Sequence, residues 1–260
     1  MVKHENFKTC DQSGFCKRNR AYADVAVAQG TSWTSPYRID AQTLKVKDGV
    51  LTATIIKTVD DSKLVHLPLA ITFLRSGAVR VTVDEAKRRS KEIELRHGSQ
   101  ARKERYDGAS KWAIVGDLTG ADVQIGNRDD DGTTIQYGPG MKYQAVIRHS
   151  PFSVDFVRDE QVHVRVNGQG LMNMEHWRPK VEKEKKEAKE GETPEQEQEQ
   201  VQVPDDAVDE STWWEETFGG NTDSKPKGPE SVGLDITFPG YEHVFGIPEH
   251  AGPLSLKETR

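Results

Sequence analysis

The sequence has no run approaching about 18 consecutive apolar residues, so it offers no helix able to span a bilayer. It has no G-x-x-x-x-G-K-[ST] loop, no G-x-G-x-x-G turn, no G-x-S-x-G elbow and no H-E-x-x-H pair. Those absences remove the usual signatures of nucleotide hydrolysis, dinucleotide binding, serine-hydrolase and zinc-protease chemistry. No secretory leader opens the chain, although a mature protein carrying an added Met would begin in the same way. Apolar residues are only 34% against 30% charged, which is lean for a globular chain. The net charge of −6 comes largely from one acidic segment, so it says little about a folded surface.

Cysteine is the scarcest informative residue, with Cys10 and Cys16 alone in 260 positions. Ser13-Gly14 supplies a turn between them, so the two thiols can close a small disulfide loop. Such a loop would contribute about 2–2.5 kcal/mol on the chain-entropy model and would imply an oxidising compartment. Two reduced structural thiols remain the alternative on spacing alone. A zinc site is disfavoured, because zinc takes about four ligands and the C-x₂₋₄-C spacing is missing. The basic run Lys17-Arg18-Asn19-Arg20, with one aromatic nearby, reads as a solvated or pinned loop and not as a nucleic-acid site. Residues 1–36 as a whole read as polar and irregular.

From Tyr37 the period is two. Leu44 and Val46 alternate into Asp48-Gly49, and Leu51, Ala53 and Ile55 alternate away, a two-residue hairpin signal. Pro68 predicts that its strand starts late or lies at an edge. Arg75-Ser76-Gly77 marks the next turn. Residues 84–111 are dense in charge and read as a solvated excursion, a short helix or a long exposed loop, with strand character resuming at Trp112-Ala113-Ile114-Val115. Asn127-Arg128-Asp129-Asp130-Asp131-Gly132 lacks EF-hand spacing and reads as an acidic hairpin turn. Four strands follow, over 143–147, 152–157, 162–166 and 171–175, separated by Ser150-Pro151, Asp159-Glu160 and Asn167-Gly168. Turns every eight to twelve residues are the mark of an antiparallel sandwich.

Residues 181–210, with Glu195-Gln196-Glu197-Gln198-Glu199-Gln200 at their centre, hold too little apolar surface to offset an ordering entropy of ~1–2 kcal/mol per residue. They are expected to be a disordered insertion. Order is expected to return at Trp213-Trp214, packed on the sandwich. Val232, Leu234, Ile236 and Phe238 then alternate up to Pro239-Gly240. After them come Glu242-His243 and Glu249-His250, and the chain stops at Lys257-Glu258-Thr259-Arg260, an end that a trypsin-like cut would leave. The expectation is a piece of a longer protein.

The repeated Glu-His pairs, including Glu175-His176, invite a metal reading. Neighbours in a strand point to opposite faces, however, so adjacent Glu and His do not readily converge on one ion. A hydrolase pairing Glu242 with Glu249 would need them about 5–9.5 Å apart. The residues alone therefore support a secreted-type β-sandwich with a disordered insertion, either a binding module or part of an enzyme.

Several motifs point further. Asn6-Phe7-Lys8-Thr9-Cys10 with Phe15-Cys16-Lys17-Arg18, then Arg80-Val81-Thr82-Val83-Asp84-Glu85, Ser150-Pro151-Phe152, Trp214-Glu215-Glu216-Thr217-Phe218 and above all His243-Val244-Phe245-Gly246-Ile247-Pro248-Glu249-His250-Ala251 are spread along the chain. Together they resemble the N-terminal part of the catalytic α subunits of endoplasmic-reticulum glucosidase II, within family 31 of the glycoside hydrolases. The resemblance implies an all-β, antiparallel, mutarotase-like β-sandwich followed by a (β/α)₈ catalytic barrel. It implies a retaining α-glucosidase that trims α-1,3-linked glucose from N-linked glycans of new glycoproteins in the endoplasmic-reticulum lumen. Its catalytic aspartates fall beyond Arg260, so no catalytic, substrate-binding or metal residue is assigned in this chain, and no cofactor. The implied partners are the C-terminal catalytic portion of the same subunit, a regulatory β subunit and the N-glycan, with no nucleic acid and no membrane. The resemblance also implies that Cys10 and Cys16 are joined, and that Glu242, His243, Glu249 and His250 fix a junction and do not perform chemistry.

The expected organisation is a disulfide-loop segment over 1–36, the sandwich over 37–180, an acidic linker over 181–212, and a return strand with its lead-in to the barrel over 213–260. The rival expectation is a stand-alone, non-catalytic carbohydrate-binding sandwich using Trp213 and Trp214.

Overall fold

The computed structural model describes residues 7–60, 63–85, 107–116, 118, 120–176, 213–225, 228–246 and 253–258. The acidic insertion, most of the charged excursion, and Glu249 with His250 lie outside the described residues. The chain groups into two compact units, one holding residues up to 21 with 175–231, the other 22–174 with 232–260.

The larger unit is an antiparallel sandwich. Its first sheet has the order β1-β2-β3-β4, from β1 (Tyr37–Lys47), β2 (Val50–Asp60), β3 (Lys63–Phe73) and β4 (Val79–Val83). The second runs β14-β9-β8-β7-β6-β5, from β5 (Gln124–Arg128), β6 (Gly132–Tyr137), β7 (Tyr143–Arg148), β8 (Ser153–Arg158), β9 (Gln161–Val166) and β14 (Ile236–Thr237). The buried core takes one face from each sheet: Leu51, Ile55, Ile71 and Phe73 from the first, Ile135, Ile147 and Val154 from the second. Phe73 meets Tyr137 at 4.8 Å between ring centroids, and burial pushes the Tyr137 phenol up to about 12. The sheets are also stitched at one corner. Ile39 N–H donates to His149 O at 2.8 Å, and Phe152 N–H donates to Tyr37 O at 2.8 Å.

The hairpin at Asp48-Gly49 forms as expected, with φ of 49° and 73°. Gly49 is required twice over. Its φ lies in the left-handed region, and a Cβ would stand 2.3 Å from the carbonyl oxygen of Ala121. Asp159-Glu160 makes the same kind of turn, with φ of 51° and 63°. The acidic turn before Gly132 closes because Asp129 Oδ1 accepts the N–H groups of Asp131 and Gly132 at 3.0 and 2.8 Å.

Five expectations change. The described part of 1–36 is not irregular: a 3-10 turn at Cys10–Gln12 leads into helix α1 (Gly14–Gln29), and a second 3-10 turn follows at Gly30–Ser32. Strand character does not resume at Trp112, because Asp107–Ala113 is helix α2, with Trp112 91% exposed. The strand containing Pro68 neither starts late, since it begins at Lys63, nor lies at an edge, since β3 sits between β2 and β4. Pro68 carbonyl accepts from Asp84 N–H at 3.1 Å, so its side without an N–H faces the end of β4, where no further pairing is needed. Only Asn173–Met174 (β10) of the fourth meander strand is extended, and it pairs with β13 (Val232–Gly233), not with β9. The return stretch is not one strand, since β13 joins β10 and β14 joins β9.

In the smaller unit, β11 (Glu215–Phe218) and β12 (Asn221–Ser224) form a hairpin across Gly219-Gly220. Cys10 and Cys16 are disulfide-bonded, with their Cα atoms 5.4 Å apart.

Candidate functional site

The return stretch is anchored by its polar residues. Asp235 accepts Gln169 N–H at 2.8 Å and Leu171 N–H at 2.9 Å, while its own carbonyl accepts Asn167 N–H at 2.8 Å. Asn167 is buried at φ 57°. It donates to Phe152 O at 2.6 Å and accepts Met172 N–H at 2.7 Å. Two side chains thus tie the turn before β8, the loop after β9 and the return stretch together. Tyr241 Oη lies 2.6 Å from His163 Nδ1 on β9. His243 Nδ1 lies 3.2 Å from Ser255 Oγ, and Leu256 N–H donates to Val244 O at 2.8 Å.

Of the expected junction residues, Glu242 and His243 are exposed on this stretch. Among the described residues, no three metal-ligating side chains converge. A hollow of about 300 Å³ beside β4 and α2 is lined by Leu74, Arg80, Ile114, Leu118 and neighbouring apolar atoms, with Arg80 donating to Ser110 Oγ at 2.8 Å. Among the described residues, its lining holds no carboxylate or imidazole.

Three carboxylates take structural roles that the sequence reading did not give them, Asp155 and Glu175 buried and Glu216 half-buried. On β8, Asp155 takes a two-pronged bond from Arg165, at 2.7 and 3.0 Å, and a third from Arg148 at 2.9 Å. Burial raises its proton affinity, but the hydrogen bonds from Arg165 and Arg148 outweigh that and hold it below the usual carboxylate range. In the smaller unit, Glu175 binds Arg18 and accepts both the N–H and the hydroxyl of Ser231, at 2.8 and 2.7 Å. Glu216 accepts Gly14 N–H at 2.6 Å, Lys225 at 2.7 Å and Lys8 at 3.3 Å. Both glutamates are also held low, their partners outweighing the cost of burial. The one sequence signal was polarity inside an apolar run, as in Val154-Asp155-Phe156. Trp213 and Trp214 are half-buried, with their rings edge-on at 6.1 Å.

A sandwich of this topology, tied off at its last strand, matches a known family model over residues 68–260, that of the glycosyl hydrolase 31 N-terminal galactose mutarotase-like domain. The chain belongs to that family. Among curated relatives of this glycosyl hydrolase 31 domain, the glucosidase 2 subunit alpha of Schizosaccharomyces pombe is 34% identical, over 97% of this chain and 25% of its own length. The neutral alpha-glucosidase AB of Mus musculus is 36% identical, over 99% and 25%. A crystal structure of glucosidase II alpha subunit, Tris-bound, is 53% identical with a TM-score of 0.80, covering 100% of this chain and 26% of its own. A heterodimeric complex of ER glucosidase II, holding the catalytic subunit and the binding domain of the regulatory subunit, is 54% identical with a TM-score of 0.79, over 98% and 25%. The chain therefore spans about a quarter of the length of the relatives it matches. The mutarotase-like sandwich that the sequence motifs implied is the fold observed.

Proposed function

We propose that this chain is the N-terminal domain of an α-glucosidase that removes α-1,3-linked glucose from N-linked glycans, with retention of configuration and with its catalytic aspartates outside these residues. The reading is carried by 53% identity, across the whole of this chain, to the glucosidase II alpha subunit. Relatives solved as Glc1Man2-bound and alpha3-Glc2-bound forms support the substrate class. On this reading the working enzyme resides in the endoplasmic-reticulum lumen, pairs with a regulatory subunit, and uses no cofactor. Residues 37–180 are its sandwich, 181–212 its acidic linker and 213–260 the lead-in to the barrel, with 1–36 held by the disulfide. Glu242, His243, Glu249 and His250 fix that lead-in.

Glucose release from an α-1,3-linked glucosyl disaccharide tests this. A chain extended to the length of the relatives should turn the substrate over, and the 260-residue chain should not. Turnover by the 260 residues alone would refute the proposal. So would loss of turnover without loss of stability in Glu249→Gln of the extended enzyme, for the junction assignment.

A further inference from the structure

The loop after β9 holds the one Asn-Gly dipeptide of the sequence, Asn167-Gly168. In an open chain that pair is prone to deamidation, because glycine has no side chain to hinder its own backbone nitrogen as it approaches the Asn amide carbon. The fold requires both residues. Asn167 sits at φ 57°, a left-handed conformation that Asn tolerates better than most residues with a Cβ. Its amide serves a donor and an acceptor at once: Oδ1 accepts Met172 N–H at 2.7 Å and Nδ2 donates to Phe152 O at 2.6 Å. Gly168 is required for another reason. A Cβ there would overlap Arg165 Cγ and Cδ, and the Arg165 side chain is held in place by its two-pronged bond to Asp155. A chemically labile pair is thus built into a turn that no other pair fills as well.

The closed turn withholds the amide. Asn167 is 2% exposed. Besides its two side-chain bonds, its N–H donates to Asp235 O at 2.8 Å and its carbonyl accepts Gly170 N–H at 3.2 Å. Attack on its amide carbon needs the amide plane to turn, and the departing nitrogen needs a proton from water. A buried amide bonded at both ends allows neither. The fastening around it is thin, however. The loop is closed from outside by the Asp235 carboxylate, which takes the N–H groups of Gln169 and Leu171 where the first bond is solvent-exposed and the second only partly buried. The neighbouring strand β14 is two residues long. Short, exposed fastenings of this kind open locally at far less cost than the core.

We propose that Asn167 is a conditional modification site, deamidated when the 167–171 loop opens away from Asp235 and protected while it is closed. On opening, the Gly168 backbone nitrogen bonds to Asn167 Cγ, the Cγ–Nδ2 bond breaks, and ammonia leaves with the proton that the Gly168 nitrogen gives up. Water then opens the cyclic imide at either carbonyl, leaving an aspartyl or an isoaspartyl residue; nothing is oxidised or reduced. The change runs one way. An aspartate sets a carboxylate oxygen against Phe152 O, where Nδ2 had donated, and leaves a charge at a buried position. An isoaspartate also lengthens the backbone by one methylene and displaces Met172 N–H from its acceptor. A chain that has opened here is therefore marked, and its loop no longer closes as before.

Peptide mapping of the 260-residue chain at neutral pH tests this, following conversion of Asn167 to its aspartyl and isoaspartyl forms. Conversion in the folded chain should be at least about 30-fold slower than in urea above the unfolding transition; a smaller ratio would overturn the protection. Below the transition, the rate should rise with urea along a slope shallower than that of global unfolding, since opening the loop exposes little surface. A slope equal to the global one would overturn the assignment to the loop. Asp235→Ala should speed conversion in the folded chain at least about ten-fold, with amide-exchange protection of Phe73 and Ile147 retained; an unchanged rate would also overturn it. Should that variant lose the core protection, the urea slope of the unsubstituted chain decides alone. Asn167→Asp should unfold at lower urea than the unsubstituted chain, and an equal midpoint would overturn the one-way character of the mark.

Discussion

Three carboxylates, Glu175 and Asp155 buried and Glu216 half-buried, hold most of the chemistry that this chain performs on itself. Glu175 and Arg18 are 5% and 9% exposed in their side chains, so removing the carboxylate strands a buried guanidinium. Glu175→Ala should cost about 3–5 kcal/mol, read as early loss of amide-exchange protection over 14–21. Arg148 and Arg165 are 47% and 39% exposed, so solvent screens their pairing with Asp155. Asp155→Ala should accordingly cost less, about 1–3 kcal/mol, in a urea titration. All three carboxyls are held below their ordinary values in the folded state. Their stabilisation is therefore complete above the unfolded carboxylate range, roughly pH 4–4.5, and is lost as pH falls through the depressed folded values. Melting temperature should be nearly flat from pH 7 to about pH 5 and drop steeply below about pH 4. Glu175→Gln should lower the plateau and soften the drop; a drop of unchanged steepness would remove Glu175 from the set.

At the scale of elements, the hairpins were legible because their turns are local. Asp48-Gly49 needs only two left-handed residues between alternating strands, and Gly49→Ala adds both a strained φ and a clash with a backbone carbonyl. That change should cost at least about 2 kcal/mol in chemical denaturation. Elements held by distant partners were not legible. Helix α1 shows no apolar stripe of period 3.6; its first turn is fixed instead by the disulfide beside it and by a carboxylate 202 positions away, which takes the N–H of Gly14. The end of helix α2 was misread as strand from Trp112 on, because Trp112 and Val115 suggest burial, whereas both are exposed. The return stretch was legible as alternating but not in its facing. Period two says which residues share a face and nothing about which face is covered, and the fate of Asp235 decides that. No local pattern names the partners of Asn167 and Asp235.

For the whole molecule, the disulfide is the one covalent constraint and it sits in the smaller unit. Reduction should remove about 2–2.5 kcal/mol from that unit on the chain-entropy model. Proteolysis of α1's first turns should then accelerate, while the near-ultraviolet signal from Tyr37 and Tyr137 in the sandwich core stays intact. Simultaneous loss of both would mean that the two units unfold as one.

The pairing of Ile236 with Val166 also dictates an order of events during synthesis. The two residues are 70 positions apart, 236 minus 166. At about 5–20 residues per second, β9 waits roughly 4–14 s for its outer neighbour to be made. Throughout that interval the sheet holds only five strands and ends in β9, bearing Val162, Val164 and Val166, as its unpaired edge, the kind of template that recruits other nascent chains. His163 and Arg165, interleaved with those valines, are the polar residues placed to discourage it. A ribosome-stalled chain ending before Ile236 should therefore aggregate sooner as Arg165→Val than as wild type.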